Sequence, residues 1–277
     1  MRQKTSVNAP SWGLDSIPFN NVDSQQVIHR EDLFYLVVAA SFIEIASDLY
    51  TANLAEYFQE DAEIVEWLEK HWQHEEVRHG YSLRDYAKHV WPDFNWDAAY
   101  QSFFDEYAPL CTVEEFEPSQ ALEMAARCVI ETGTATFYTA LSGQSPEPIL
   151  AGIAANIRAE EVGHYKYFYR YFRQYRQQEG TARRQVFGAI WRRIVEARNS
   201  DAEIALWHVF AHRNSLPVEA EKPQEFHDLC RQIGKQVKQH YPVDLAAKMV
   251  LRPLDLPRSI NRVIEGPVAS AATWLLR

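Results

Sequence analysis

Apolar residues recur with helical spacing along most of the chain, and short polar segments separate the apolar stretches. This pattern is typical of helices packed around a core and differs from the strict alternation of half-buried strands. Prolines and glycines stand between the stretches, where they end helices. We therefore predict an all-α protein that contains two long helical hairpins followed by shorter helices.

The helix boundaries follow from acidic first turns, prolines and glycines. Helix A opens at the acidic pair Glu31 and Asp32, helix B ends before Pro92, and helix D stops at Gly180. The prolines after residue 250 predict an irregular end that contains at most a short amphipathic segment. The predicted helices are 31–58 (A), 61–90 (B), 96–107, 119–141 (C), 147–178 (D), 181–198, 201–213, 222–240 and 242–250.

We divide the chain into three parts. Residues 1–30 show little periodicity and predict an arm on the surface or across a site. Residues 31–178 form a four-helix bundle, and residues 179–277 form a C-terminal helical extension packed on the bundle. The connection 91–117 between the hairpins is long enough to cross a bundle about 40 Å in length.

Single carboxylates stand inside the most apolar stretches, and each is followed about thirty residues later by a Glu-x-x-His motif. Residues three apart share a helix face, so each motif presents a carboxylate and an imidazole to one point. An ionised carboxylate is costly to bury without a compensating cation. We predict that these side chains bind metal. The six candidate ligands are Glu44, Glu76, His79, Glu131, Glu161 and His164.

The spacing predicts one shared site for all six candidates. The midpoints of the two glutamate pairs fall at residues 60 and 146, both in polar turns. Each pair then lies about 20–25 Å from the end of its hairpin, at one depth in the bundle. Four carboxylates match the charge of two divalent ions, and oxygen and imidazole ligands suit Fe or Mn. The alternative is a metal-free bundle in which these residues occur by accident.

One Glu from each of two helices and Glu-x-x-His from each of the other two resembles the ferritin-like di-iron carboxylate superfamily. The resemblance covers residues 31–178 and implies a ferritin-like four-helix bundle with a long crossover between helices B and C. It implies two Fe ions, with an Mn/Fe pair as the alternative, and O₂ as co-substrate. Residues 75–80, Glu-Glu-Val-Arg-His-Gly, also resemble the soluble acyl-carrier-protein desaturases of the oxidase/oxygenase branch.

The same resemblance implies supporting roles around the metals. Thr134, one turn after Glu131, resembles a catalytic threonine at the oxygen-binding edge; alternatively its hydroxyl bonds back to a helix carbonyl. Glu75 is expected to accept a hydrogen bond from the outer ring nitrogen of His164, and Glu160 from that of His79. The alternative for both acids is a solvated surface position.

Some positions depart from related families. Leu83 stands where the ribonucleotide reductase small subunit has its radical tyrosine, so that activity is not expected. Ile157 stands where arylamine N-oxygenases have an additional histidine ligand, and we assign it with Phe168 to the substrate pocket. The pairs His71/His74 and His208/His212 are interpreted as packing or surface residues.

The resemblance implies a non-haem di-iron oxidoreductase that uses O₂ for hydroxylation, desaturation or oxidative cleavage of a small organic or acyl substrate. An external electron donor is a required partner, because the sequence has no flavin or Fe–S motif of its own. The arginines between 170 and 193 are interpreted as a solvated helix face, or as a docking surface for an acidic carrier protein or a phosphate-bearing substrate. The alternative function is a ferroxidase or iron-handling protein without an organic substrate, and a third possibility is a metal-supported scaffold without turnover.

Composition limits the remaining possibilities. The 277 residues have a net charge of −10, which argues against general nucleic-acid binding. No apolar run was found that approaches the ~20 residues of a membrane span, and the N-terminus lacks the apolar core of a secretory signal. Three scattered cysteines do not make a disulfide framework. We expect a cytoplasmic protein that binds no membrane and forms a homodimer.

Overall fold

The computed structural model describes residues 12–112, 116–196 and 201–257. Within these residues all regular structure is helical and no strand occurs, as predicted. The helices are α1 Glu31–Ile45, α2 Ser47–Tyr57, α3 Ala62–Trp67, α4 Gln73–Val90, α5 Trp96–Tyr107, α6 Gln120–Gln144, α7 Pro148–Glu179, α8 Arg183–Glu196, α9 Asp201–Arg213, α10 Gln224–His240 and α11 Val243–Leu251.

The helix ends have local causes that are visible in the sequence. The Ser119 side chain accepts a hydrogen bond from the Leu122 amide and caps α6. Glu147 caps α7 in the same way, and Pro148 occupies the first helical position. Gly180 ends α7 in the left-handed conformation, with φ of 68°.

Two helical hairpins lie side by side. α1 and α2 pack against α4, α6 packs along α7, and α4 contacts α7. α5 lies in the connection between the hairpins and packs against α1 and α9. The chain thus returns to start the second hairpin only after a long connection.

The first hairpin is interrupted twice, whereas the sequence predicted two continuous helices over 31–58 and 61–90. Ala46 separates α1 from α2, and the Leu49 amide bonds to the Ala46 carbonyl three residues back instead of four. A single π-helical turn, Leu68–Trp72, joins α3 to α4. The helical spacing of the apolar residues continues through both interruptions, so it does not reveal them.

Apolar side chains form two core clusters. The first gathers α1, α4, α5 and α9 around residues such as Phe42, Tyr86 and Phe103. The second joins α3, α6, α7 and α8 around Phe168 and Phe172. The candidate ligands lie along the helices that pass between the two clusters.

Residues Glu31–Tyr57 are long and apolar enough to cross a membrane, which the sequence reading missed. However, 78% of the most apolar window is buried inside the protein. Most of these residues therefore pack inside the protein, as core helices do. A cytoplasmic location stays a prediction.

The C-terminal helices pack on the two hairpins. α8, α10 and α11 contact α6, and α9 contacts α1 and α5. In the described part of the arm, Trp12 to Arg30, three short 3₁₀ turns occur, and Leu14–Ser16 lies against α4. The predicted amphipathic segment at the end of the chain falls outside the described residues. The predicted boundaries at 30 and 178 remain a prediction.

Candidate metal centre

The structure brings all six predicted ligands together between the hairpins. Each is at least 93% buried. The first glutamate of each hairpin reaches the centre from α1 or α6, and the Glu-x-x-His motifs reach it from α4 and α7. Since residues three apart share a helix face, each motif presents both side chains inward.

The ligands form two overlapping groups. Glu44 and His79 belong to position 1, and Glu131 and His164 belong to position 2. Glu76 and Glu161 belong to both. Within each group the ligand atoms lie within 4.8 Å of one another. This arrangement would hold two adjacent cations, with two carboxylates within reach of both.

Four buried polar atoms in the cluster have no hydrogen-bond partner. They are Glu44 Oε2, His79 Nδ1, Glu161 Oε1 and His164 Nδ1. An unpartnered buried polar atom is costly, and several that face one point call for a cation. The distances agree, because His79 Nδ1 lies 3.2 Å from Glu161 Oε1 and 3.6 Å from Glu44 Oε2. The residues therefore fit a pair of divalent ions.

The outer nitrogen of each histidine contacts a glutamate from the other hairpin. His79 Nε2 lies 2.8 Å from Glu160 Oε2, and His164 Nε2 lies 2.8 Å from Glu75 Oε2. Both pairs are the ones that the sequence predicted. Arg78 also donates to Glu160 Oε2 at 2.6 Å. Such contacts hold the rings so that Nδ1 points into the cluster.

Burial and the neighbouring charges shift the pKa values of the clustered side chains. Burial and the neighbouring carboxylates Glu161 and Glu44 raise the pKa of Glu76 well above its usual value. Burial raises the pKa of Glu131 to about 8. Burial would lower the pKa of His79, but the surrounding carboxylates of Glu160, Glu161 and Glu44 raise it well above the ordinary value. Cations would displace the protons that raised pKa values hold on these side chains.

The pKa values of Glu161 and His164 shift in opposite directions. Burial alone would raise the pKa of Glu161, but the nearby imidazoles of His164 and His79 lower it well below its ordinary value. Burial would lower the pKa of His164, but Glu131, Glu161 and other nearby carboxylates raise it well above normal. These directions favour an ionised Glu161, which is the form that would bind cations.

Thr134 lies at the edge of the cluster and is half-buried. Its hydroxyl donates to Glu161 Oε2 at 2.7 Å and also lies 3.2 Å from the Glu131 carbonyl oxygen. Both of the roles considered from the sequence are thus compatible with its contacts. A catalytic role for Thr134 stays a prediction.

Tyr138 is a contact that the sequence reading missed. Its hydroxyl donates a short hydrogen bond to Glu44 Oε1, and the side chain is 1% exposed. Burial and the Glu44 charge raise the pKa of Tyr138 well above its usual value. The available signal was its position seven residues, or two turns, after Glu131 on the same face of α6.

The N-terminal arm also contributes to the site. The Trp12 ring stacks at 6.1 Å from the His79 ring, with 3° between the planes. The Arg78 guanidinium lies 5.0 Å from the centre of the same indole. Trp12 therefore covers the His79 side of the cluster.

The two predicted pocket residues flank the ligands along α7 and are fully buried. Ile157 belongs to the first core cluster, and Phe168 belongs to the second, where it packs on Trp67 and Trp72. Two surface depressions, one around Glu66 and one beside the arm, include neither residue. Their contact with a substrate stays a prediction.

The other histidines lie apart from the cluster. His71 lies in the π-helical turn and is half-buried, and His74 is exposed on α4. His208 is buried, with Nδ1 2.9 Å from Ser102 Oγ and Nε2 2.9 Å from Glu106 Oε2. These contacts join α5 to α9, so the packing interpretation agrees with them.

The arginine cluster contains structural members. Arg176 donates to the carbonyl oxygens of Thr181 and Pro253 and ties α7 to the C-terminal part. Arg192 forms two hydrogen bonds with the buried Glu117. These two arginines therefore hold the fold together, which the interpretation as a uniformly solvated face did not foresee.

Comparison of the chain with known protein families, with curated proteins and with solved structures finds no match in any of the three.

Proposed function

We propose that this chain is a ferritin-like, non-haem di-iron oxidoreductase that uses O₂ to oxidise an organic substrate. One observation carries the proposal. Six buried side chains converge from four helices, and their unpartnered atoms Glu44 Oε2, His79 Nδ1, Glu161 Oε1 and His164 Nδ1 face a common centre. Carboxylate and imidazole donors in this ratio suit iron or manganese.

The six ligands and their partners would hold the two ions. Glu76 and Glu161 are the bridging candidates, since both belong to each group. Glu75 and Glu160 orient the histidine rings from opposite hairpins. When bound, a reduced pair of iron ions supplies the activation of O₂ that C–H oxidation requires.

The surroundings favour an apolar substrate. Phe42 and Ile157, near the ligands along α1 and α7, are fully buried and belong to the apolar core. Trp12 covers His79 and excludes water from that side, which protects a reactive centre. Thr134 holds Glu161 through its hydroxyl at the half-buried edge, where we place the approach of O₂ and substrate.

The reaction also requires partners. An external electron donor has to reduce the ions before each reaction with O₂. Arg173 on α7 and Arg183 and Arg184 on α8 are exposed and would meet an acidic carrier protein that delivers an acyl substrate. A homodimer stays a prediction.

The experiment measures O₂ consumption by the Fe(II)-loaded protein, with a chemical reductant as the electron donor, in the presence of fatty acids, their carrier-bound forms and aromatic amines. We expect uptake that requires iron and increases with one of these substrates. Glu161→Gln should abolish it, because that variant removes a charge shared by both positions. Glu117→Gln is the matched control, because Glu117 is also buried but pairs with Arg192 outside the cluster.

The rival function predicts a different result. A ferroxidase would oxidise many Fe(II) ions per chain, and its O₂ uptake would not respond to any organic substrate. A protein that binds no iron, or that consumes O₂ equally in Glu161→Gln, would contradict the proposal.

A further inference from the structure

Two hydroxyl groups contact the candidate ligands, and they serve different carboxylates. Thr134 donates to Glu161, which belongs to both positions. Tyr138 donates to Glu44, which belongs to position 1 alone. The two hydroxyl groups therefore differ in how many metal positions each can influence.

Tyr138 leaves Glu44 only one oxygen for a cation. Glu44 Oε1 accepts the phenol hydrogen bond, and Glu44 Oε2 has no partner. The free oxygen lies 3.6 Å from His79 Nδ1, within the group of position 1. A carboxylate held in this way binds through a single oxygen and cannot rotate to bind through both.

The tyrosine is itself held firmly. Its side chain is 1% exposed. The centre of its ring lies 4.9 Å from the centre of the Phe137 ring, and the two ring planes form an angle of 72°. It belongs to the same core cluster as Leu83 and Leu141. A side chain locked by packing is able to fix the orientation of the group that it hydrogen-bonds.

We propose that Tyr138 is a positioning residue that holds Glu44 as a single-oxygen ligand and thereby sets the affinity of position 1 independently of position 2. This inference rests on the proposed metal centre. The hydrogen bond crosses from α6 to α1, so the second hairpin orients a ligand of the first. Removing such a partner of a metal ligand typically weakens metal binding by about 10–100-fold.

The test is an anaerobic titration of metal-free protein with Mn²⁺, followed by calorimetry and electron paramagnetic resonance. We expect two Mn²⁺ per wild-type chain, with the six-line signal of isolated Mn²⁺ suppressed when the pair is complete. In Tyr138→Phe one position should keep its Mn²⁺ affinity, and the affinity of the other should fall by about 10–100-fold. The six-line signal of isolated Mn²⁺ should therefore persist when more than one equivalent of Mn²⁺ per chain has been added.

Tyr175→Phe is the matched control. Tyr175 is also buried on a bundle helix, and its hydroxyl donates to a carboxylate, Asp61, at 2.9 Å. The same substitution there removes a similar hydrogen bond without touching a ligand. Its titration should equal that of the wild type, while Thr134→Val should affect both positions.

A double-mutant cycle tests whether Tyr138 acts through Glu44. If it does, Tyr138→Phe adds no further loss of Mn²⁺ affinity in a Glu44→Ala background. The inference would be overturned if the losses of Mn²⁺ affinity from Tyr138→Phe and Glu44→Ala were fully additive. It would also be overturned if the Tyr138→Phe variant bound Mn²⁺ like the wild type, or if it stayed folded but lost both metal positions. Fewer than two Mn²⁺ on the wild-type chain would instead contradict the proposed metal centre.

Discussion

The two hairpins supply equivalent candidate ligands, although their backbones differ. Glu44 and Glu76 lie 32 positions apart in the first hairpin, whereas Glu131 and Glu161 lie 30 positions apart in the second. In a pair of regular hairpins, two additional residues would displace one glutamate by more than half a helical turn. Nevertheless, all four carboxylates meet at one depth.

The additional residues have identifiable places. One lies in the turn, which spans 58–61 in the first hairpin and 145–147 in the second. The other lies in the returning helix, which contains the π-helical turn Leu68–Trp72 in the first hairpin only. A π turn is an α-helix that carries one residue more, so the helix on both sides of it keeps its register.

The two hairpins thus share the positions of their candidate ligands, but they do not share regular helices. α7 runs without interruption over 32 residues, while the first hairpin breaks at Ala46 and bulges four residues before Glu76. π turns are often found at functional sites, and here the turn adjoins a candidate bridging ligand.

The largest expected difference is between two single-residue deletions, each six positions before the second glutamate of its hairpin. Deletion of Lys70 removes the additional residue of the π turn and leaves a regular helix, so we expect a change in unfolding free energy of about 1 kcal/mol or less. Deletion of Ala155 rotates the first part of α7 by about 100° relative to the ligands.

That rotation would turn buried Leu150 and Ile153 away from the core. Each such side chain contributes about 1.5–3 kcal/mol, so the Ala155 deletion should unfold the chain or remove most of its stability. Urea unfolding measures both variants. Equal damage from the two deletions would contradict our explanation of the π turn.

A pair of glycine substitutions compares helix packing at the ligands. A methyl group on Gly80 would lie 2.7 Å from the Ile45 nitrogen and 3.1 Å from Glu44 Cβ, where α4 approaches α1. Gly80→Ala should therefore destabilise the fold by about 1–3 kcal/mol and reduce metal uptake.

Gly133 in α6 is the matched control, because a methyl group there meets no atom within 4 Å. Gly133→Ala should stabilise the protein by about 0.5–1 kcal/mol through its better helix propensity. Thermal unfolding gives the stability of both variants, and metal analysis gives the amount of metal that each binds. A harmless Gly80→Ala would show that the close approach of α1 and α4 is not required.

The smallest expected effect concerns the glutamates that contact the histidines. Glu160 is 13% exposed in its side chain and is also held by Arg78, whereas Glu75 is 28% exposed. Glu160→Gln should therefore weaken metal binding more than Glu75→Gln, within the range of about 10–100-fold. Competition with a chelator gives the affinities, and the reverse order would refute this ranking.

Much of the architecture follows from the sequence alone. Its periodicity, prolines and glycines predicted Trp96–Tyr107 and Asp201–Arg213 with the boundaries that the structure has. The repeated Glu and Glu-x-x-His spacing also predicted which six side chains would meet. Long, periodic segments are the part of a fold that local patterns describe best.

The remaining features depend on contacts between distant segments. The π turn at Leu68–Trp72 depends on how the returning helix of the first hairpin meets its neighbours, and helix periodicity does not encode it. Tyr138 contacts Glu44 only because α6 packs near α1. Trp12 covers His79 because of a short arm with no periodic pattern. Neither contact has a local signature in the sequence.

The most direct test of the central claim is anomalous X-ray diffraction at the iron edge from Fe(II)-loaded crystals. We predict two peaks about 3.5–4 Å apart, one beside His79 Nδ1 and one beside His164 Nδ1, with Glu161 between them. Fully loaded crystals with no peak among the six side chains, or with iron bound only elsewhere on the protein, would contradict the account.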